Sequence, residues 1–206
     1  MAVEEITTDV LVQALEAAAH SFAPNELAYL ALTSKVELPI RDRLAWVLHT
    51  TLPGKIVARE WRRTDLAVLD SSGTVPLALI EAKALYSFDV AGSSDRSTAY
   101  FPGLVSGDIT KARKLSCEIG QDPAVFALVF VTHPMSEPPN LPNIIKYVSA
   151  IRGSGRYGSP AKVRDLAAEN LGQALERLGP VRNGQMDAGS AFGTPTAVDY
   201  WIVGPI

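Results

Sequence analysis

Thr64-Asp65-Leu66-Ala67-Val68-Leu69-Asp70, then Ser71-Ser72-Gly73-Thr74, then Leu77-Ala78-Leu79-Ile80-Glu81-Ala82-Lys83-Ala84-Leu85: this stretch decides the fold. The outer runs are rich in Leu, Val, Ile and Ala, and the middle one is made of turn formers, so the stretch predicts a β-hairpin. Side chains alternate across a strand, which puts Glu81 and Lys83 on one face with Leu77, Leu79 and Leu85. Ala78, Ile80, Ala82 and Ala84 take the other face. Both faces are apolar, as in a strand covered on both sides. A carboxylate and an ammonium are costly in such a place unless they pair or bind an ion. Asp65, on the preceding strand, adds a second acid to the same neighbourhood.

Working outward, Thr7 or Thr8 caps a helix reaching about Ala19, with Val10, Leu11, Leu15 and Ala18 on one stripe. A short second helix starts near Pro24. In a third, Pro39 suits the first turn, and Ile40, Leu44, Val47, Leu48 and Leu52 have helical spacing until Pro53-Gly54 ends it. Residues 55–61 form a strand before the hairpin. After it, 87–106 reads as a long loop rich in Ser, Gly and Asp, 107–119 as a helix and 125–131 as a buried strand. Beyond a Pro-rich loop at 134–142, helices are expected at 143–151 and 161–178. A flexible Gly-containing segment at 183–194 precedes a last strand at 197–203. There is no internal repeat. The order of elements predicts an α/β domain spanning 1–206, a central mixed sheet flanked by helices. It divides into a helical N-terminal segment (7–32), a core (37–133) and a helical C-terminal segment (143–178) with the last strand.

Composition narrows the classes. Of the 206 residues, 47% are hydrophobic and 20% charged, which is ordinary for a globular protein able to bury a sizeable core. Cys117 stands alone, so no disulfide framework or cysteine zinc site is expected, and His20, His49 and His133 lack metal-ligand spacing. The opening Met-Ala-Val-Glu-Glu has no basic region followed by an apolar stretch, and no apolar run approaches a membrane span, so a cytoplasmic location is expected. A net charge of −3 argues against a protein that coats nucleic acid without sequence preference. It leaves room for an enzyme that acts on nucleic acid, since metal ions can neutralise carboxylates and basic residues can gather on one face. P-loop, G-x-S-x-G and H-E-x-x-H strings are absent. Gly153-Ser154-Gly155-Arg156-Tyr157-Gly158 fits G-x-G-x-x-G, but a dinucleotide site needs a strand immediately before the glycines, and 143–151 reads as a helix.

Asp65 followed by Glu81-Ala82-Lys83 on adjacent strands resembles the PD-(D/E)xK nuclease superfamily, with its restriction-endonuclease-like three-layer sandwich fold. Thr64 stands where the proline that names the motif would be. The resemblance covers roughly residues 37–133 and implies a metal-dependent nuclease that hydrolyses phosphodiester bonds, with DNA the expected substrate and 5′-phosphate products. Asp65 and Glu81 would bind Mg²⁺ or Mn²⁺, which favour oxygen ligands and keep several waters. Lys83 would orient the water and balance charge on the phosphate. The family often adds a glutamate from the preceding helix: Glu37 is the candidate, Asp42 the rival and Glu26 a third, while a first-turn acid complementing the helix dipole explains Glu37 as well.

Further residues admit two readings each. Arg59, Arg62 and Arg63 either hold phosphates or sit on a solvated turn. Glu60 can support the site from behind, and Asp70 starts the turn. Asp108, Lys111, Arg113 and Lys114 lie on the next helix. Lys111 faces either substrate or solvent, and Lys114 with Glu118 makes an ordinary i,i+4 pair. Tyr86, Phe88, Tyr100 and Phe101 either stack on bases or pin the loop to the core. Cleaving both strands of a duplex favours a homodimer by symmetry. The alternative reading is a binding module for nucleic acid or protein that keeps the fold and does no chemistry.

Overall fold

The computed structural model describes residues 5–92 and 95–206, with the backbone alone for 95–99. The expectations for Met1–Glu4 and for Ser93 and Ser94 lie outside the described residues. Among the described residues the chain forms seven α-helices and one six-stranded mixed sheet. Three helices come first: α1 (Thr8–His20), α2 (Glu26–Thr33) and α3 (Glu37–Thr51). The Thr7 hydroxyl accepts from the Val10 N–H and caps α1, satisfying a donor the helix itself leaves free. Then come β1 (Ile56–Trp61), β2 (Thr64–Leu69) and β3 (Pro76–Tyr86), a meander in which each strand pairs antiparallel with the next.

Two helices, α4 (Ser87–Val90) and α5 (Asp95–Ile119), carry the chain back to β4 (Ala124–Pro134), which pairs parallel with β3. The end of the chain supplies α6 (Val148–Gly153), a 3₁₀ turn (Ser154–Tyr157), α7 (Pro160–Leu175), β5 (Val181–Ala191) and β6 (Thr194–Val203). The strand order across the sheet is β1-β2-β3-β4-β6-β5. Alternation along the strands builds two cores. Ala78, Ile80, Ala82 and Ala84 face α1, α2 and α3, together with Phe126, Leu128 and Phe130. Leu79 and Leu85 face α5 and α7, together with Val125, Val129 and Val131. The sheet is the middle of three layers, so a charge in its centre has apolar cover on both sides.

Three expectations need correction. Most of the stretch expected as a loop at 87–106 is helical: α4 occupies its start, and α5 runs through Pro102 without ending there. Phe101, Val105, Ile109 and Ala112 recur at helical spacing across Pro102-Gly103 and pack on the sheet, and that tertiary support outweighs the local breakers. The segment expected to be flexible at 183–194 is mostly β5, joined to β6 by the two-residue turn Phe192-Gly193, both with positive φ. Gly184 in that strand lies under the Tyr200 ring, where a Cβ would collide. Finally, the helix expected at 143–151 begins only at Val148, because Tyr147 takes a left-handed conformation and breaks it.

Tyr86 ends β3 and ties the layers together: its hydroxyl donates to Ala31 O at 2.8 Å and lies 3.0 Å from Ser34 O. It stacks on Phe88, and both rings meet Tyr147 edge-on, so these aromatics pin α4 against the start of α6. Tyr86→Phe removes the donor from a fully buried site. We expect a loss of about 1–3 kcal/mol in urea unfolding with an unchanged m value.

Candidate functional site

β2 and β3 pair only from Leu69↔Pro76 to Leu66↔Ile80, and beyond that point β3 continues beside β4 alone. The N–H groups of Ala82 and Ala84, which would have gone to β2, need other acceptors. Asp65 Oδ2 takes the first at 2.8 Å, and Glu37 Oε2, from the first turn of α3, takes the second at 3.1 Å. The gap between the strands thus gathers carboxylates from two elements. Glu81 and Lys83 rise beside it from β3.

Glu81 and Asp65 are close enough for the charge of one to act on the other. Burial first, then the charges of Asp65 and Asp108, push the Glu81 carboxyl up to about 8, against only the opposing pull of Lys83. Glu37 is raised too, by burial and by Asp65, with Lys83 and the Ala84 N–H working the other way. Burial alone would lower Lys83. The hydrogen bond and charge of Asp108, with the fields of Glu37 and Asp65, outweigh it and hold the ammonium above its ordinary value. Lys83 Nζ lies 2.8 Å from Asp108 Oδ2 on α5, and Lys111 Nζ lies 2.8 Å from the other oxygen. Asp108 is buried, which favours its neutral form, but the two lysines prevail and its carboxyl is lowered.

On the α3 side, buried Arg41 stands one turn after Glu37 and reaches Asp65 Oδ1 at 3.6 Å, Asp42 at 3.1 Å and Glu60. Asp42 also meets Arg59 at 2.9 Å, so the sequence rival to Glu37 is engaged in ion pairs while Glu37 reaches β3 itself. Glu26 bonds the Ala23 N–H and Arg43, away from the cluster. Asp70 accepts from Thr74 and Val75 N–H and from Ser72, which makes it the turn residue.

A cleft of about 210 Å³ opens onto Glu81, walled by Arg62, Arg63 and Thr64 on one side and by Lys111, Lys114, Leu115 and Glu118 of α5 on the other. Arg62 and Arg63 form a two-residue turn with positive φ at both positions, and Glu60 has positive φ as well. Non-glycine residues held this way are strained, and such strain clusters at functional sites. Lys114 keeps its pairing with Glu118 at 3.9 Å but also lines the cleft. Arg113 is not among the lining residues. Phe101 packs on the core, whereas Tyr100 is exposed.

Sequence reasoning missed Arg41 and the role of Asp108. A cation at the position after Glu37 on the inward stripe of α3 was the available signal for the first. It also missed a second polar cluster, at the far end of the same sheet face. There Asp199 on β6 lies 3.1 Å from His133 Nε2, 2.9 Å from Arg164 Nε and within the same network as Gln185. His133 is fully buried, its Nε2 is not aligned for a hydrogen bond, and its Nδ1 has no partner among the described residues. The G-x-G-x-x-G string follows α6 and not a strand, so the dinucleotide context is missing. No group of three or more His, Cys, Asp and Glu is arranged to hold a metal among the described residues. A pair of carboxylates with water completing the shell is the ordinary Mg²⁺ set, and Asp65 with Glu81 fits it in donor chemistry. No helix among the described residues is long and apolar enough to cross a membrane. Compared with known proteins, the chain matches no family model, no curated protein and no solved structure.

The Glu81 shift has a consequence for stability. The folded carboxyl keeps its proton to about pH 8, whereas the unfolded one loses it near the ordinary value of 4.5. The native state therefore holds more protons between those values, and stability falls as pH rises through them. With a chelator present, urea unfolding at pH 5 and at pH 8.5 is expected to differ by on the order of 3 kcal/mol from this group. Glu81→Gln, which stays neutral, should flatten the dependence, leaving the smaller slope of the same sign from Glu37.

Proposed function

We propose that the chain is a metal-dependent nuclease that hydrolyses phosphodiester bonds, with DNA as its substrate, on a restriction-endonuclease-like sandwich. The observation that carries this reading is Glu81, buried with the Asp65 carboxyl acting on it, opening into a cleft lined by four cationic side chains and by Glu118. Two acids forced together want a cation, and cationic walls want a polyanion. The element order α3-β1-β2-β3-α4-α5-β4 supports the fold assignment.

Asp65 and Glu81 would hold Mg²⁺ or Mn²⁺, which would supply charge for the leaving oxyanion and lower the pKa of a bound water. Lys83, two residues beyond Glu81 on the same face, orients the attacking water and balances charge on the scissile phosphate. Glu37 fixes Ala84 and so the position of Lys83. Arg62, Arg63 and Lys111 grip phosphates flanking the reaction, with Lys114 behind them. A second copy of the chain, related by a two-fold axis, would be needed to cut both strands together.

Incubation with supercoiled plasmid and with single-stranded DNA, in Mg²⁺, Mn²⁺ or chelator, tests the reading. Metal-dependent nicking that falls by roughly 10²-fold or more in Lys83→Ala is the expected result. No cleavage under any condition, and no metal bound by calorimetry, would replace it with the binding-module reading. The rim has its own signature. Arg62→Ala, Arg63→Ala and Lys111→Ala should each weaken DNA binding uniformly across sequences and reduce the slope of log K against log salt by about 1.

A further inference from the structure

Asp108 lies on α5, outside the hairpin, yet it bonds two lysines at once, Lys83 through Oδ2 and Lys111 through Oδ1, each at 2.8 Å. Lys111 is largely exposed and has no need of an anchor. Lys83 is different. It rises from β3 on the face that carries Glu81, two residues away, and Asp65, Glu81 and Glu37 all lie within reach of its charge. An ammonium left free in that company would settle on those carboxyls and offset their charge. In the structure its one ion pair, among the described residues, is with Asp108.

We propose that Asp108 is a positioning residue that draws the Lys83 ammonium off the Asp65–Glu81 pair and so keeps that pair open to a divalent cation. The inference rests on the reading of that pair as the metal ligands. Its geometry is specific. Asp108 comes from a helix on the opposite wall of the cleft and is itself buried. Its carboxylate is held between two lysines, so neither its charge nor its direction is free to change. Asp65 is already partly matched by Arg41, which leaves Glu81 as the group Lys83 would satisfy if released.

Calorimetric titration with Mn²⁺ alone, on the full chain at one pH, tests this with wild type, Asp108→Asn, Asp108→Glu, Lys83→Ala and the double variant Asp108→Asn/Lys83→Ala. We expect Asp108→Asn to weaken Mn²⁺ binding by roughly tenfold, the scale of losses at groups that support metal ligands. Asp108→Glu, which keeps the charge and the ammonium contact, should bind as wild type does. In the Lys83→Ala background Asp108→Asn should have a clearly smaller effect, that of its own field on Glu81, because there is no ammonium left to release. An Asp108→Asn effect of undiminished size in that background would mean that Asp108 acts through its own charge alone, and would overturn the proposal. Equal affinity of Asp108→Asn and wild type would overturn it as well. Should Asp108→Asn not fold, Asp108→Ser answers the same question. Wild type that binds no Mn²⁺ removes the metal reading itself, an outcome distinct from a wild type that binds and a variant that does not differ.

Discussion

The parting of β2 from β3 after Leu66↔Ile80 is the constraint on which the rest of the site depends. A strand that loses its neighbour inside a protein leaves backbone donors without acceptors, and each costs about as much as a lost hydrogen bond. Here side chains take the place of the missing strand. Asp65 replaces the partner of Ala82, and Glu37 replaces the partner of Ala84. Two elements that are 28 residues apart in sequence are brought to one edge by the same need. Because α3 must deliver Glu37 to that edge, its next inward turn delivers Arg41 to Asp65. The acids are therefore placed by backbone bookkeeping before any chemistry is asked of them.

The two polar clusters on this sheet face solve burial in opposite ways. At the β6 end, Asp199 is met by Arg164 and by His133, and these partners lower its carboxyl despite burial. That cluster is balanced by its own residues. At the β3 end the acids outnumber the cations that reach them. Arg41 is shared among Asp42, Glu60 and Asp65, and Lys83 is committed to Asp108. The remainder falls on Glu81, whose carboxyl is pushed up to about 8. Both clusters lie under helices of the same layer, so the difference comes from partner count and not from depth.

The hairpin, the two-faced burial of β3 and the shared face of Glu81 and Lys83 were legible because a period of two is written directly into 78–85; Leu77, expected on the Glu81 face, packs on the opposite core because the β2–β3 register shifts beside it. Helices α1 and α3 were legible for the same kind of reason, a cap or an early proline followed by a clean stripe. Misses fell where local chemistry and tertiary contacts disagree. Pro102-Gly103 reads as a break, but Val105 and Ile109 bury on the sheet and carry α5 across it. Gly184 and Gly189 read as flexibility, but β6 templates β5, and the Tyr200 ring covers Gly184. Arg41 and Asp108 were hidden differently. A charged residue on a helix has many places to go, and spacing alone does not say that a strand edge will be open opposite it. Which of Glu37 and Asp42 approaches β3 depends on the rotation of α3, which is set by Ile40, Leu44 and Leu48 in the core.

Glu81 separates a working site from a scaffold. Asp65 and Glu37 cap β3, so a protein with no chemistry to do would still need them. Arg41 and Asp108 neutralise neighbours and could persist for that reason. Glu81 has no such duty: among the described residues it makes no ion pair and no backbone hydrogen bond, and the charges of Asp65 and Asp108 disfavour its ionised form. Asp65 and Asp108 both have structural partners to keep, so the strain cannot be relieved by moving them. A glutamine or an apolar side chain at this position would relieve the repulsion and leave the strand intact. On the proposed reading, a buried acid with no ion pair and no backbone duty of its own has a cation as its partner. On that reading the cationic rim of the same cleft supplies the second half, because a cation held beside Glu81 and an anion held at the walls would together match a metal-bound phosphate.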